Sequence, residues 1–234
     1  MRQTILRCTH CTESPESGSF PLCSSCFQNL KPAPPLCQSC GNSFCPGECE
    51  RPWVRFPMID SFRAAYLLSE PGYSVLKSWK KVGGYAFDRR ILNFERCGLQ
   101  AVDADFIIPI PQDFSRSWKM RGSAAEKIAR QIQSQTGFTL IHALKRASRS
   151  PKRQAELSMQ ERFSNSIRYE VKKELASALD GSNCLLVDDF MTTGHTLKNA
   201  ALALQSRGVK SVHVFCLGVR PFRMSEKGEL FKSA

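Results

Sequence analysis

Two acids, three threonines and a glycine fall within the nine residues Asp188-Asp189-Phe190-Met191-Thr192-Thr193-Gly194-His195-Thr196. Hydroxyls and a glycine at the mouth of a helix make a socket for phosphate. The first turn of a helix leaves backbone N–H groups without partners and favours negative charge. Gly194 has no Cβ to hold the main chain away from an anion. A socket for phosphate alone needs no acids in front of it. Asp188 and Asp189 can instead accept hydrogen bonds from neighbouring sugar hydroxyls, or hold them through Mg²⁺. Acids, then phosphate grip, then helix is the order expected of a ribose 5-phosphate site. The plainer alternative is a helix capped by Thr192 or Thr193, with two solvated acids at a strand end. It accounts for neither the acid pair nor the threonines in register.

The elements that must hold this turn follow from the pattern around it. Cys184 to Val187 is an apolar run too short for a helix and suited to a buried parallel strand, closed by the two acids. Leu197, Ala200, Ala201 and Leu204 then fall at i, i+3, i+4 and i+7, the stripe of a helix packed on a sheet. Upstream, Phe62 to Leu68 predicts a strand, and Ser74 to Lys81 and Phe87 to Cys97 predict helices separated by Gly83-Gly84. Phe106 to Pro111 is an apolar strand ended by prolines, where a ligand loop belongs. Arg116, Lys119 and Arg121 follow, with Trp118 among them. Ser123 and Glu126 form a capping box for a helix whose Ala125, Ile128, Ala129 and Ile132 share one face. Gly137 stops that helix, and Phe138 to Leu144 predicts the next strand. Lys145 to Glu161 lacks periodicity and carries Lys145, Arg146, Arg149, Lys152 and Arg153. This composition fits either a mobile loop closing over a pyrophosphate or a solvated surface loop. Gly208 ends the helix after the acid turn, Val212 to Leu217 predicts a further strand, and a basic tail begins at Arg220. Alternating strands and helices give an α/β fold, a parallel sheet with helices on both faces and binding loops at the strands' carboxyl ends.

The N-terminal part has a different chemistry. Eight of the 11 cysteines lie within the first 49 residues. Cys8-x2-Cys11 followed by Cys23-x2-Cys26 has knuckle spacing, each pair aiming two thiolates at one ion in a tetrahedral four-cysteine zinc site. Cys37-x2-Cys40-Gly41 and Cys45-Pro46-Gly47-Glu48-Cys49 have the form of a second, less regular site. Sequential pairing is the simplest arrangement, and a cross-braced one stays open. The polar neighbours of these cysteines could not make a core unless a metal supplied the folding energy. His10 is read as a bystander between two ligands. Pro32, Pro34 and Pro35 make a stiff connector between the two halves of the module. One or two structural zinc ions are therefore expected in a module spanning 1–52, with the sheet domain at 53–234. With eight thiolates closing its sites, the module is scaffold or docking surface rather than catalyst.

The chain has 234 residues, 42% of them apolar, and a formal net charge of +12. That allows a medium domain with a core and a small one beside it. The charge suits an anionic partner such as nucleic acid, a phosphate-rich metabolite or an acidic membrane face, although solubility alone would also explain it. No apolar run approaches the about 20 residues of a membrane span, and no signal-peptide core opens the sequence. A soluble, cytoplasmic protein is expected. Neither G-x4-G-K-[ST] nor a strand-linked G-x-G-x2-G is present, which argues against an ATPase or a dinucleotide enzyme.

At the acid turn the chain resembles the type I phosphoribosyltransferases, whose signature is an apolar strand, two acids, two variable residues and T-T-G-x-T. The resemblance implies that Asp188 and Asp189 hold the ribose hydroxyls of phosphoribosyl pyrophosphate (PRPP) with Mg²⁺. It also implies that Thr192, Thr193, Gly194, His195 and Thr196 wrap its 5′-phosphate, with Met191 a further PRPP-binding position. Four elements in order widen the likeness: the cysteine pairs, the P-x-P strand end, the stretch with Gln154, Leu157, Glu161, Arg162 and Asn165, and the ribose-phosphate turn. Together they resemble the ComF/ComFC family over nearly the whole chain. The family implies a role in natural transformation, handling incoming single-stranded DNA at the cytoplasmic face of the inner membrane. Its implied partners are a ComFA-type translocase and other DNA-uptake or processing proteins. There is one departure. Where the family commonly reads R-G-F-N-Q, this chain has Arg121-Gly122-Ser123-Ala124-Ala125, without the asparagine and glutamine side chains.

If the chain is a transferase, pyrophosphate leaves the anomeric carbon through an oxocarbenium-like state, and catalysis rests on positioning and charge. Asp188 and Asp189 would act on the ribose, and Arg146, Arg149 or Arg153 on the leaving group. No residue pattern marks an acceptor pocket. Three functions compete: a transformation factor binding DNA and PRPP, a salvage-type phosphoribosyltransferase, and an adaptor with a vestigial site. Trp53, Trp79 and Trp118, each beside basic residues, are candidates for stacking on DNA bases, with core packing the plainer reading at each.

Overall fold

The computed structural model describes residues 7–13, 22–41, 56–81, 91–111, 123–147, 169–220, 222–224 and 230–232. Its centre is a five-stranded sheet of β1 (Ser61–Leu67), β2 (Phe106–Pro109), β3 (Thr139–Leu140), β6 (Asn183–Met191) and β7 (Ser211–Val219). These strands lie in the order β1-β7-β6-β2-β3, and every pairing among them is parallel. Two short antiparallel pairs stand apart: β4 (Leu144–Arg146) with β5 (Tyr169–Val171), and β8 (Phe222–Met224) with β9 (Leu230–Lys232).

Strand alternation divides the core into two layers, because successive side chains point to opposite faces. Leu185 and Val187 of β6, with Phe215 and Leu217 of β7, pack among Leu76, Trp79, Ile128, Ala129 and Ile132. These last come from α2 (Gly72–Lys81) and α3 (Ala124–Thr136). Cys184, Leu186, Val212, Val214 and Cys216 pack on the other face, among Leu197, Ala200, Ala201 and Leu204. Those four are the predicted stripe and belong to α5 (His195–Gln205). A short α1 (Ser24–Gln28) and a single-turn α4 (Ala176–Leu179) complete the described helices. Helices thus cover both faces of a parallel sheet, as the alternation predicts.

The ends of α3 follow local chemistry. Ser123 caps it by accepting from the Glu126 N–H at 3.4 Å. Gly137 closes it at φ 76°, a left-handed position that suits a residue without Cβ, and donates its N–H to Gln133 O.

Several expectations are corrected. The helix predicted over Phe87 to Cys97 is not formed in its described part, which is turns leading into a 3-10 turn at Leu99–Ala101. There the Asn93 side chain accepts from the Arg96 N–H at 2.8 Å, a local bond that competes with the helical ladder. The strand predicted over Phe138 to Leu144 divides in two. Thr139–Leu140 joins β2, while the chain from Leu144 pairs with β5 instead. Lys145 and Arg146, taken as the start of a loop, are therefore strand residues. Trp79 is wholly buried, so it is a core side chain and cannot stack on a base.

The proline connector has a second role. Residues 31–33 run along the outer edge of β1, with a bridge between Pro32 and Tyr66. The Ala33 N–H donates to Ala65 O at 3.0 Å and the Leu67 N–H to Lys31 O at 2.9 Å. Among the described residues no helix is long and apolar enough to cross a membrane.

Candidate functional site

The chain leaves β2 through α3 towards β3, and leaves β6 through α5 towards β7, on opposite faces. Between the carboxyl ends of β2 and β6 the connections diverge, and in open α/β sheets that crevice is where ligands bind. Pairing of β6 with β2 stops at Pro109↔Val187, whereas pairing with β7 continues to Met191↔Val219. Asp188 and Asp189 are the first residues of β6 beyond its β2 neighbour. The acids therefore lie inside the strand rather than after it, a correction to the sequence reading.

Both acids are buried, Asp188 at 9% and Asp189 at 5% exposure. Each carboxylate accepts the N–H of the following residue, Asp189 N to Asp188 Oδ1 at 2.8 Å and Phe190 N to Asp189 Oδ1 at 2.7 Å. The Lys80 ammonium, reaching from α2, is ion-paired with Asp189 Oδ2. It also lies over the Phe190 ring, 5.1 Å from its centroid. Nothing in the sequence pointed to Lys80 in this place, because its partner lies far away along the chain.

Burial, and then the neighbouring Asp189 charge, push the Asp188 carboxyl up from its usual 3.8 to about 7. The sign follows from linkage. The folded state holds this proton more tightly than the unfolded chain, so folding is favoured in acid. That contribution is lost as pH rises from about 4 through about 7. Asp188→Asn is expected to remove this part of the pH dependence and to melt above wild type at pH 8. Melting curves of the two proteins between pH 4 and 8 test it, and parallel curves would refute it.

Tyr169 of β5 belongs to the same neighbourhood. Burial and then the Asp188 charge push its hydroxyl up to about 12, while Arg146 acts in the opposite sense. Arg146 and Asp188 thus both lie within electrostatic reach of the Tyr169 hydroxyl. Arg149 and Arg153, the other candidate clamp residues, lie outside the described residues.

Beyond Met191 the chain turns through Thr192, Thr193 and Gly194 into α5. Thr192, Thr193 and His195 are exposed, Thr196 is half-buried, and Met191 and Gly194 are buried. Gly194 is the N-cap at φ 75°, and no side chain caps the helix. The plain alternative of a threonine cap is thus not what forms. Thr193 Oγ1 instead lies 3.0 Å from His195 Nδ1. Hydroxyls and the helix mouth face outward together, the arrangement that can take an anion.

The cysteine cluster is a separate centre. One ligand atom from each of Cys8, Cys11, Cys23 and Cys26 lies within 4.8 Å of the others, a set that can hold a structural metal such as zinc. This is the sequential pairing. The Cys23 N–H donates to Cys8 Sγ and the Cys26 N–H to Cys23 Sγ, both at 3.4 Å. Burial raises the Cys8 thiol, but N–H groups of Cys23, Cys11 and His10 outweigh it and bring the thiol down to about 6. Burial and the adjacent thiols push Cys26 up instead. Four sulfurs this close could all be thiolates only with a cation among them. His10 Nδ1 lies 3.2 Å from Ser78 Oγ, consistent with a bystander. Cys37 and Cys40 are not part of this cluster. Cys45 and Cys49, like Trp53, Trp118 and the stretch from Gln154 to Asn165, lie outside the described residues.

A doubly covered parallel sheet with an acid pair and a glycine turn at its switch point has the form of a phosphoribosyltransferase-like fold. The family described as "Phosphoribosyl transferase domain" matches residues 123–232. Over 232 residues the chain is 23% identical to Competence protein F of Haemophilus influenzae, covering 90% of this chain and 96% of that one. The ComF/ComFC resemblance seen in the motifs is thus borne out along the chain. Among solved structures, the chain is similar to the allosteric regulatory enzyme of purine biosynthesis, 19% identical with a TM-score of 0.35, covering 61% of this chain and 26% of that one. It is also similar to the glutamine PRPP amidotransferase from B. subtilis, 18% identical with a TM-score of 0.35, covering 63% and 28%. The chain therefore spans about a quarter of the length of those two enzymes. For the purine phosphoribosyltransferase from Pyrococcus horikoshii Ot3 the identity is 17% and the TM-score 0.34, covering 53% and 66%.

Proposed function

We propose that the chain binds PRPP or a closely related ribose 5-phosphate, and that it does so as a ComF-type protein serving natural transformation. The observation that carries this reading is the placing of Asp188, Asp189 and the Gly194 turn at the open end of β6, beside the proline-ended β2. In it Asp188 and Asp189 accept hydrogen bonds from the ribose hydroxyls. Thr192, Thr193 and Thr196, the backbone at Gly194 and His195, and the α5 N-terminus receive the 5′-phosphate. Mg²⁺, when bound with PRPP, would neutralise the pyrophosphate oxygens, with Arg146, within electrostatic reach of Tyr169, as the described clamp candidate.

Likeness to a competence protein over nearly the whole chain, together with a net charge of +12, supports work on incoming single-stranded DNA at the cytoplasmic face of the inner membrane. Partners there would be a ComFA-type translocase and other DNA-uptake proteins. Calorimetry with PRPP and Mg²⁺ tests the central statement. Saturable binding at one site per chain is expected, competed by ribose 5-phosphate. Absence of heat and of competition at millimolar ligand would end the proposal.

A further inference from the structure

We infer that Phe56 is a positioning residue for the phosphate turn, so that the cysteine-bearing segment is part of the site's floor rather than a detachable appendage. A Cβ built on Gly194 would meet the Phe56 ring at 2.7 Å from Cζ and 3.2 Å from Cε2. The turn therefore rests directly on that ring, and only glycine lets it come so close. Phe56 is buried at 6% exposure and pairs with Phe62 of β1, ring centroids 5.6 Å apart.

What holds Phe56 is the cysteine segment. Its N–H donates to Ser39 O at 3.0 Å, inside the turn between Cys37 and Cys40. Gly41 closes that turn by donating to Cys37 O at 2.7 Å. A Cβ on Gly41 would meet Phe62 Cδ1 at 2.9 Å and Met191 Cε at 3.0 Å. Gln38 fixes the segment to the sheet, its Oε1 accepting from the Phe62 N–H at 3.0 Å. Two glycines thus let two backbones close on the same apolar layer of Phe56, Phe62 and Met191. One is the Cys37–Gly41 turn and the other is the phosphate turn.

A site of this kind works only when the donors stay where the anion needs them, and small displacements cost large factors. The ring holds the turn from below, and the atoms nearest to where a Gly194 Cβ would stand all belong to Phe56. The consequence for ligand binding rests on the sugar-phosphate reading above. The brace itself does not, and two readouts keep them apart.

In the ligand-free full chain, amide hydrogen exchange is followed over 191–198, where the Lys198 N–H bonds to Gly194 O at 2.9 Å. Phe56→Ala should speed exchange there about tenfold or more, with Phe56→Leu between it and wild type. Phe138→Ala, which removes a half-buried ring packed against the opposite core layer, should leave 191–198 unchanged. In calorimetry Phe56→Ala should weaken PRPP about tenfold or more and Phe138→Ala should not. Wild-type exchange in Phe56→Ala, or equal acceleration in Phe138→Ala, overturns the brace. If Phe56→Ala does not fold, the Phe56→Leu comparison decides in the same way. If wild type fails to bind PRPP, the sugar-phosphate reading falls and the exchange data alone judge the brace.

Discussion

Exchanging both acids for amides, Asp188→Asn with Asp189→Asn, should give a protein that folds, melts no lower than wild type at pH 8, and no longer holds a ribose 5-phosphate. Hydrogen bonds from sugar hydroxyls to a charged acceptor contribute about 1.5–3 kcal/mol each. Losing two weakens binding by at least about a hundredfold. Stability should move the other way. Asp188 is buried and its carboxyl is pushed up to about 7, so keeping it ionised at pH 8 costs on the order of 4 kcal/mol of folding energy. Asparagine removes that cost and can still accept the Asp189 N–H through its amide oxygen. Against the gain stands the lost Lys80–Asp189 pair, a smaller loss because the Lys80 side chain is 28% exposed and its ammonium can turn to water. Calorimetry and thermal melts on one preparation check both statements. Wild-type affinity for PRPP would dismiss the acids as ribose ligands. A fall in melting temperature at pH 8 would show that their burial carries no penalty. A costly charge kept in a crevice is the usual signature of a residue retained for chemistry rather than for folding.

Stripping metal from the cysteine cluster is the second large effect. Cys8, Cys23 and Cys26 are buried and pack in the same layer as Ala65, Leu76 and Trp79. Loss of the ion would therefore disturb the core of the sheet domain as well as the knuckles. Structural zinc in a four-thiolate site stabilises small modules by roughly 10 kcal/mol or more. A strong chelator, or Cys8→Ser, should lower the melting temperature by about 10 °C or more. It should also expose thiols to a colorimetric reagent. Metal analysis of the purified protein should return at least one zinc per chain. Metal-free protein with an unchanged melt and protected thiols would show that the four sulfurs pack as ordinary core atoms.

The acid turn and the helix stripe after it were legible because their signals are local. Leu197, Ala200, Ala201 and Leu204 all point to one face, and the glycine stands where a left-handed residue is required. The four-cysteine cluster was legible for the same reason, since x2 spacing fixes its geometry within a few residues. What escaped was decided at a distance or by a competing local bond. Asn93 offered such a bond, which replaced the ladder of a predicted helix. The chain after α3 divided because β2 pairs with only two of its residues, at Phe106 and Ile107. Lys80 lay on a predicted helix with no hint that its charge would meet Asp189, and nothing near Phe56 in sequence pointed to its contact with Gly194. Trp79, a candidate for stacking on bases, is core, the plainer of its two readings, because α2 turns that side chain inward onto β6 and β7.

The pairing of residues 31–33 with β1 has a further outcome. Exposed strand borders are templates on which foreign chains add and grow into aggregates. At one border of this sheet the template is already occupied by the protein's own connector, whose Pro32 has no N–H to offer. At the other, β3 is two residues long, too short among the described residues to nucleate an addition. Extension of this five-stranded sheet is thereby discouraged at both of its borders among the described residues.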